Sequence, residues 1–139
     1  MAEVRRITDT FAVAPQLTVD DIPDLKAQGF MTIISNRPDE EAPNGNKAAD
    51  IRRAAEAAGL TYVHAPFAGQ PTPEAVEAAA KASGKTLAYC RSGTRSTNAW
   101  ALSQAKNGAM SADAIIAAAA GAGYNLSPLK DLLKNLGAK

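Results

Sequence analysis

One heptapeptide concentrates the chemistry of this chain. Cys90-Arg91-Ser92-Gly93-Thr94-Arg95-Ser96 joins the only cysteine to two arginines, a glycine and three hydroxyl side chains. The reactive form of cysteine is the thiolate, and neighbouring positive charge or a helix N-terminus favours it. The residues before Cys90 read as a strand and those after Gly93 as a helix, so the loop meets the positive end of that helix. Gly93 lets the backbone curl until several amides converge on an anion. Arg95 offers a planar fork to a tetrahedral oxyanion, and Arg91 adds a second charge. The Ser96 hydroxyl can donate to the sulfur or to a leaving atom. The expected catalytic set is Cys90, Arg95 and Ser96. The expected anion-binding set is Arg91, Ser92, Gly93 and Thr94. In other settings a lone cysteine at a strand end is a small buried hydrophobe. The spacing to glycine and arginine at a strand-to-helix switch argues instead for a thiolate loop.

Positioning such a loop requires a sheet. Residues 11–14 (FAVA), 30–35 (FMTIIS), 61–65 (TYVHA) and 86–90 (TLAYC) read as short apolar strands. Helical periodicity lies between them. One helix starts at Thr18, with Val19, Ile22 and Leu25 recurring, and stops at Gly29. A second covers 47–58, with Ala48, Ile51, Ala55 and Ala58 on one face. A third follows the Thr72-Pro73 start, with Val76, Ala79 and Ala80 as its buried stripe and Gly84 as its end. Beyond Gly93 only helices follow: one to about Asn107, one from Ser111 to about Ala120, and one opened by Ser127-Pro128. The last carries Leu129, Leu132, Leu133 and Leu136 at amphipathic spacing. Strands alternating with helices predict a three-layer α/β fold. It has about four mostly parallel strands, helices on both faces and a helical C-terminal part, all in a single domain over 1–139. In such sheets ligands bind beyond the carboxyl ends of the strands. Residues 15–16, 36–46, 66–71 and the cysteine loop should meet there.

Composition excludes several classes. The chain has 139 residues, one cysteine, one histidine and a formal net charge of +1. No internal disulfide can form, and one Cys with one His cannot supply a structural zinc site. No metal or cofactor is expected. Near-neutral charge leaves no footprint for nucleic acid or an anionic membrane. The 31 alanines favour helix. The segment MAEVRR is charged and leads into no long apolar stretch, so a cytoplasmic location is expected.

The motif Tyr89-Cys90-Arg91-Ser92-Gly93-Thr94-Arg95-Ser96 resembles the catalytic loop of rhodanese-type sulfurtransferases. The segments QGFMTIISNRPDEE, AGLTYVHAPF and NAWALSQA resemble a dual-specificity phosphatase. Both likenesses, together with MSADAIIAAAAGAGYNLSPL, resemble a bacterial family, the beta-lactamase-hydrolase-like protein, phosphatase-like domain. The likeness covers essentially the whole chain and implies a phosphotyrosine-phosphatase-like fold. Two departures from the phosphatase pattern stand out. Those enzymes place five residues between cysteine and arginine and a histidine before the cysteine; here there are four, and Tyr89. They also carry an aspartic acid on the loop after the preceding strand, to protonate the leaving oxygen. Residues 66–71 (PFAGQP) contain no carboxylate.

These departures put a rhodanese-type sulfurtransferase first, with Cys90 carrying a persulfide between a sulfane donor and an acceptor thiol or protein. The alternative is a protein-tyrosine or dual-specificity-type phosphatase, a hydrolase acting through a phosphocysteine. A third reading is a non-catalytic anion-binding or redox-sensing module. The expected partner is a small anionic substrate, thiosulfate or persulfide in one case and a phosphomonoester in the other. Arg37 lies on the expected active-site edge, where it would bind the anion or orient the loop, or else pair with Asp39, Glu40 or Glu41. His64 is either a pocket residue or a hydrogen-bonded structural one. Gln16 and Gln70 could meet a ligand. Glu74 could stand in for the missing acid, or serve the dipole of its helix.

Overall fold

The computed structural model describes residues 2–139; Met1, where the segment read for a leader begins, lies outside the described residues. Five strands form one sheet: β1 (Arg5–Arg6), β2 (Phe11–Ala14), β3 (Thr32–Ser35), β4 (Thr61–His64) and β5 (Thr86–Tyr89). Their order is β1-β2-β5-β3-β4, so the last strand in the chain sits in the middle. Pairing is parallel throughout, apart from β1, which runs antiparallel to β2. This two-residue edge strand is the addition to the four expected. Its residues are charged, and apolar alternation does not mark it.

Each strand sends alternate side chains to opposite faces. Ala12, Ala14, Ile33, Leu87 and Tyr89 pack with Leu25 of α1 (Ile22–Ala27) and Ile51 and Ala55 of α2 (Ala48–Ala57). Phe11, Val13, Ile34 and Ala88 pack on the other face, with Trp100 of α4 (Thr94–Asn107) and with α5 (Ala112–Gly121) and α6 (Lys130–Leu136). α3 (Pro73–Lys81) joins that layer through Ala75, Phe67 and Ala99. The architecture is therefore three-layered, with helices on both faces.

Local signals explain most boundaries. The Thr18 amide donates to Asp21 Oδ2 at 2.8 Å, which opens the turn into α1. Thr72 Oγ1 accepts from the Ala75 amide, with Pro73 at the first helical position. Three expectations are corrected. The buried residue of α3 is Ala75, with Ala78 and Ala79 half-buried and Ala80 exposed, because α3 meets α4 one position round from the expected stripe. α3 also ends at Lys81, before Gly84. In α6 only Leu133 is fully buried; Leu132 and Leu136 are about two-fifths exposed. A seven-residue helix at the edge of a layer has one neighbouring face to cover.

Candidate active site

Four loops converge at the carboxyl edge. Cys90 follows the central strand, and hydrogen bonds prolong the sheet on both sides of it. Its amide donates to the Ala14 carbonyl at 3.4 Å, and the Asn36 amide donates to the Tyr89 carbonyl at 2.8 Å. Asn36 is buried, and its Nδ2 donates to the Ala65 carbonyl, tying the loops after β3 and β4 together. The cysteine is fully buried, and its Sγ accepts the Gly93 amide at 3.0 Å. Gly93 caps α4 in the left-handed region, with φ of +93°. The Tyr124 hydroxyl oxygen lies 2.1 Å from where a Cβ on Gly93 would stand, so only glycine fits. The first amides of α4, from Thr94 to Ser96, have no earlier turn to donate to, which leaves them open to an anion.

Arg95 is the hub. Its Nη1 donates to the Phe67 carbonyl at 2.9 Å and to Glu41 Oε2 at 3.3 Å, while Nη2 donates to Glu41 Oε1 at 2.6 Å. A guanidinium has five N–H groups. Three are used, and the two remaining, on Nε and Nη2, share one edge of the plane. That free edge is the bidentate fork an oxyanion needs. Glu41 is held below the usual carboxylate range, first by its hydrogen bond with Arg95, with Arg37 and Arg91 adding charge.

Arg37 supports this arrangement from behind. It donates through Nη1 to Gln16 Oε1 at 2.9 Å and through Nη2 to the Glu41 carbonyl at 2.5 Å, with its Nε 3.8 Å from Glu41 Oε1. Arg37 thus makes the expected ion pair with Glu41, the same carboxylate that holds Arg95. Gln16 is occupied by Arg37 and by the carbonyls of Leu17 and Asn46. His64 Nε2 meets the Arg37 carbonyl at 3.1 Å, the structural role of the two expected. Ser96 is fully buried and its hydroxyl has no partner, so the bond to the sulfur is not made in this state. Arg91 is exposed, as are Ser92 and Thr94, whose hydroxyls bond each other at 3.1 Å. Gln70 is exposed on the loop after β4. Glu74 lines a groove of about 670 Å³ between α3 and β4, with Val63, Glu77 and Lys81.

Sequence reasoning passed over Glu41 and Tyr124 as site residues. Glu41 appeared only as an ion-pair partner, although an acidic turn after a strand on the active-site edge was the available signal. Tyr124 donates to the Ser92 carbonyl at 2.9 Å; its signal was a lone aromatic in an alanine-rich stretch.

Sheet, cysteine loop and arginine hub define a phosphatase-like α/β domain. The chain belongs to the family of the beta-lactamase hydrolase-like protein, phosphatase-like domain, whose sequence model matches residues 3–108. A candidate phosphatase from Neisseria meningitidis is 34% identical, with a TM-score of 0.76 over 94% of this chain and 96% of that one. The beta-lactamase hydrolase-like protein of Agrobacterium fabrum is 36% identical over 108 residues, 74% of this chain and 25% of the relative. The chain spans about a quarter to a third of the length of the curated relatives it matches. The kinase associated phosphatase, 16% identical with a TM-score of 0.69 over 98% of this chain and 95% of that one, shares the fold. These names favour the phosphatase alternative over sulfur transfer. Among the described residues no helix is long and apolar enough to cross a membrane.

Proposed function

We propose that the protein hydrolyses phosphomonoesters through a phosphocysteine at Cys90. The observation that carries this reading is the free Nε–Nη2 edge of Arg95, held beside the cysteine loop by Glu41. Cys90 thiolate attacks phosphorus; the S–P bond forms as the P–O bond to the leaving group breaks. Arg95 and the loop amides hold the equatorial oxygens, where charge is concentrated. Water then attacks the phosphocysteine, the P–S bond breaks, and phosphate leaves with the thiolate restored. The buried Ser96 hydroxyl has no partner in this structure, and in the proposed reaction it turns to donate to the sulfur as it departs.

The proposed substrates carry good leaving groups. Residues 66–71 hold no carboxylate. The acids nearby are occupied: Glu41 by Arg95, Asp39 by the Ala48 amide. A leaving oxygen that needs no proton, as in an aryl phosphate, suits this site better than an alkyl one. Sulfur transfer, the first expectation from the short loop, is the competing outcome of the same test. Wild-type protein and Cys90→Ser are assayed on an aryl phosphate, an alkyl phosphate and thiosulfate with cyanide. Trapped enzyme is examined for a mass gain of about 80 Da, one phosphoryl group on the nucleophile. Aryl phosphate hydrolysis lost in Cys90→Ser supports the proposal. A persulfide from thiosulfate with no phosphatase activity, or an inert wild type, overturns it.

A further inference from the structure

The Ser92–Gly93 peptide has two partners, one on each side. Its carbonyl accepts from the Tyr124 hydroxyl at 2.9 Å, and its N–H donates to Cys90 Sγ at 3.0 Å. In a planar trans peptide these two groups point in opposite directions. Whatever fixes the carbonyl therefore fixes the amide. We propose that Tyr124 is a positioning residue for the cysteine, holding this peptide so that its N–H, and not its carbonyl, faces the sulfur. This rests on the reading of Cys90 as the nucleophile.

The surroundings of Tyr124 suit that task. α5 ends, Gly123 turns the chain at φ of +98°, and the Tyr124 amide folds back to the Ala119 carbonyl at 2.9 Å. The ring is buried, and the Arg5 guanidinium of β1 covers it at 5.3 Å from the centroid. Glu3 holds Arg5 in turn, with 2.6 Å between its carboxylate and Nη2. Burial, then the neighbouring Cys90 sulfur, push the phenol above its usual range, against the opposing pull of Arg5, so it stays a protonated donor near neutral pH. Gly93 matters twice. Its missing side chain admits the phenol, and its left-handed backbone is one that a freely turning peptide at this glycine would leave at little cost. Without the phenol, rotation of the peptide would bring a carbonyl oxygen towards the thiolate, replacing a favourable bond by repulsion.

The test compares wild type with Tyr124→Phe, which keeps the ring and its contact with Arg5. The rate of Cys90 alkylation by iodoacetamide is measured against pH, with and without inorganic phosphate. The midpoint should rise by about half to one pH unit, the amount one hydrogen bond to the thiolate supplies. Phosphate should protect Cys90 at least about threefold less well. 3-Fluorotyrosine at position 124, a stronger donor, should move the midpoint down; it keeps the test decisive if Tyr124→Phe does not fold. Profiles that superimpose across these proteins overturn the role of Tyr124. The two proposals separate cleanly, because the difference between profiles tests Tyr124. A wild-type midpoint near that of an ordinary thiol, about 8.5, counts against the nucleophile itself.

Discussion

The 90–96 loop and the groove beneath α3 are opposites. The groove is the larger space, about 670 Å³, open between α3 and the edge strand β4 and walled by Val63, Ala78 and alkyl stems. The loop instead sits in a web of fixed polar contacts that leaves the Nε–Nη2 edge of Arg95 and the Ser96 hydroxyl open. Gln16 holds Arg37, Arg37 and Arg95 hold Glu41, Phe67 holds Arg95, and Tyr124 holds Ser92. A small tetrahedral anion is recognised by fixed donors at close range, and a large cavity would only readmit water. If the loop is the site proposed above, the density of fixed donors marks it and cavity volume does not.

Substitutions can break this contrast. Arg95→Lys should have the largest effect. A single ammonium cannot fill the fork between Glu41, Phe67 and an oxyanion, so kcat/KM on an aryl phosphate should fall roughly 10²- to 10³-fold. Glu41→Gln keeps the fork but loosens it, and should cost roughly tenfold, chiefly through misplacement. Its pH dependence sharpens the point. The folded value of Glu41 lies below the usual carboxylate range. The ion pair is therefore fully present above that range and is lost only as pH falls through the lowered value. The part of the activity that depends on Glu41 should persist through the ordinary carboxylate range and fall only below it, and Glu41→Gln should abolish this acid limb of the pH–rate profile. Glu77→Gln, in the groove wall, removes an exposed pair with Lys81 and should change kcat/KM by less than about twofold. A large loss there would make the groove part of the site and end the contrast.

The sequence disclosed the centre of this site better than its supports. Cys90, Gly93 and Arg95 stand within six residues, and the strand-to-helix switch around them follows from local periodicity. Trp100, in the helix that follows the loop, is buried against Phe11. The supports are distant in sequence. Nothing local to Glu41 says that Arg95 will reach it, and nothing local to Tyr124, between Gly123 and Asn125, points to Ser92. Gln16, expected to face a ligand, instead spends its amide on Arg37 and two carbonyls. β1 was missed because two arginines carry no apolar alternation, although Arg5 turns out to lie over Tyr124. The choice of sulfur over phosphoryl transfer was drawn from the short loop, Tyr89 before the cysteine, and the missing carboxylate in residues 66–71. The family's phosphatase names pull the reading the other way.

The bonds that shape the loop also fix when it is shaped. Tyr124 reaches Ser92 across 32 positions of chain and Arg95 reaches Glu41 across 54. Long closures cost chain entropy before they return any stabilisation, so they form late in folding. Synthesis reaches Cys90 before Tyr124, so the Ser92–Gly93 peptide gains its tyrosine partner only when α5 docks and turns the ring inward. With the roles proposed for Cys90 and Tyr124, the shaped loop is then among the last features this fold gains, and it is lost when the C-terminal helices open.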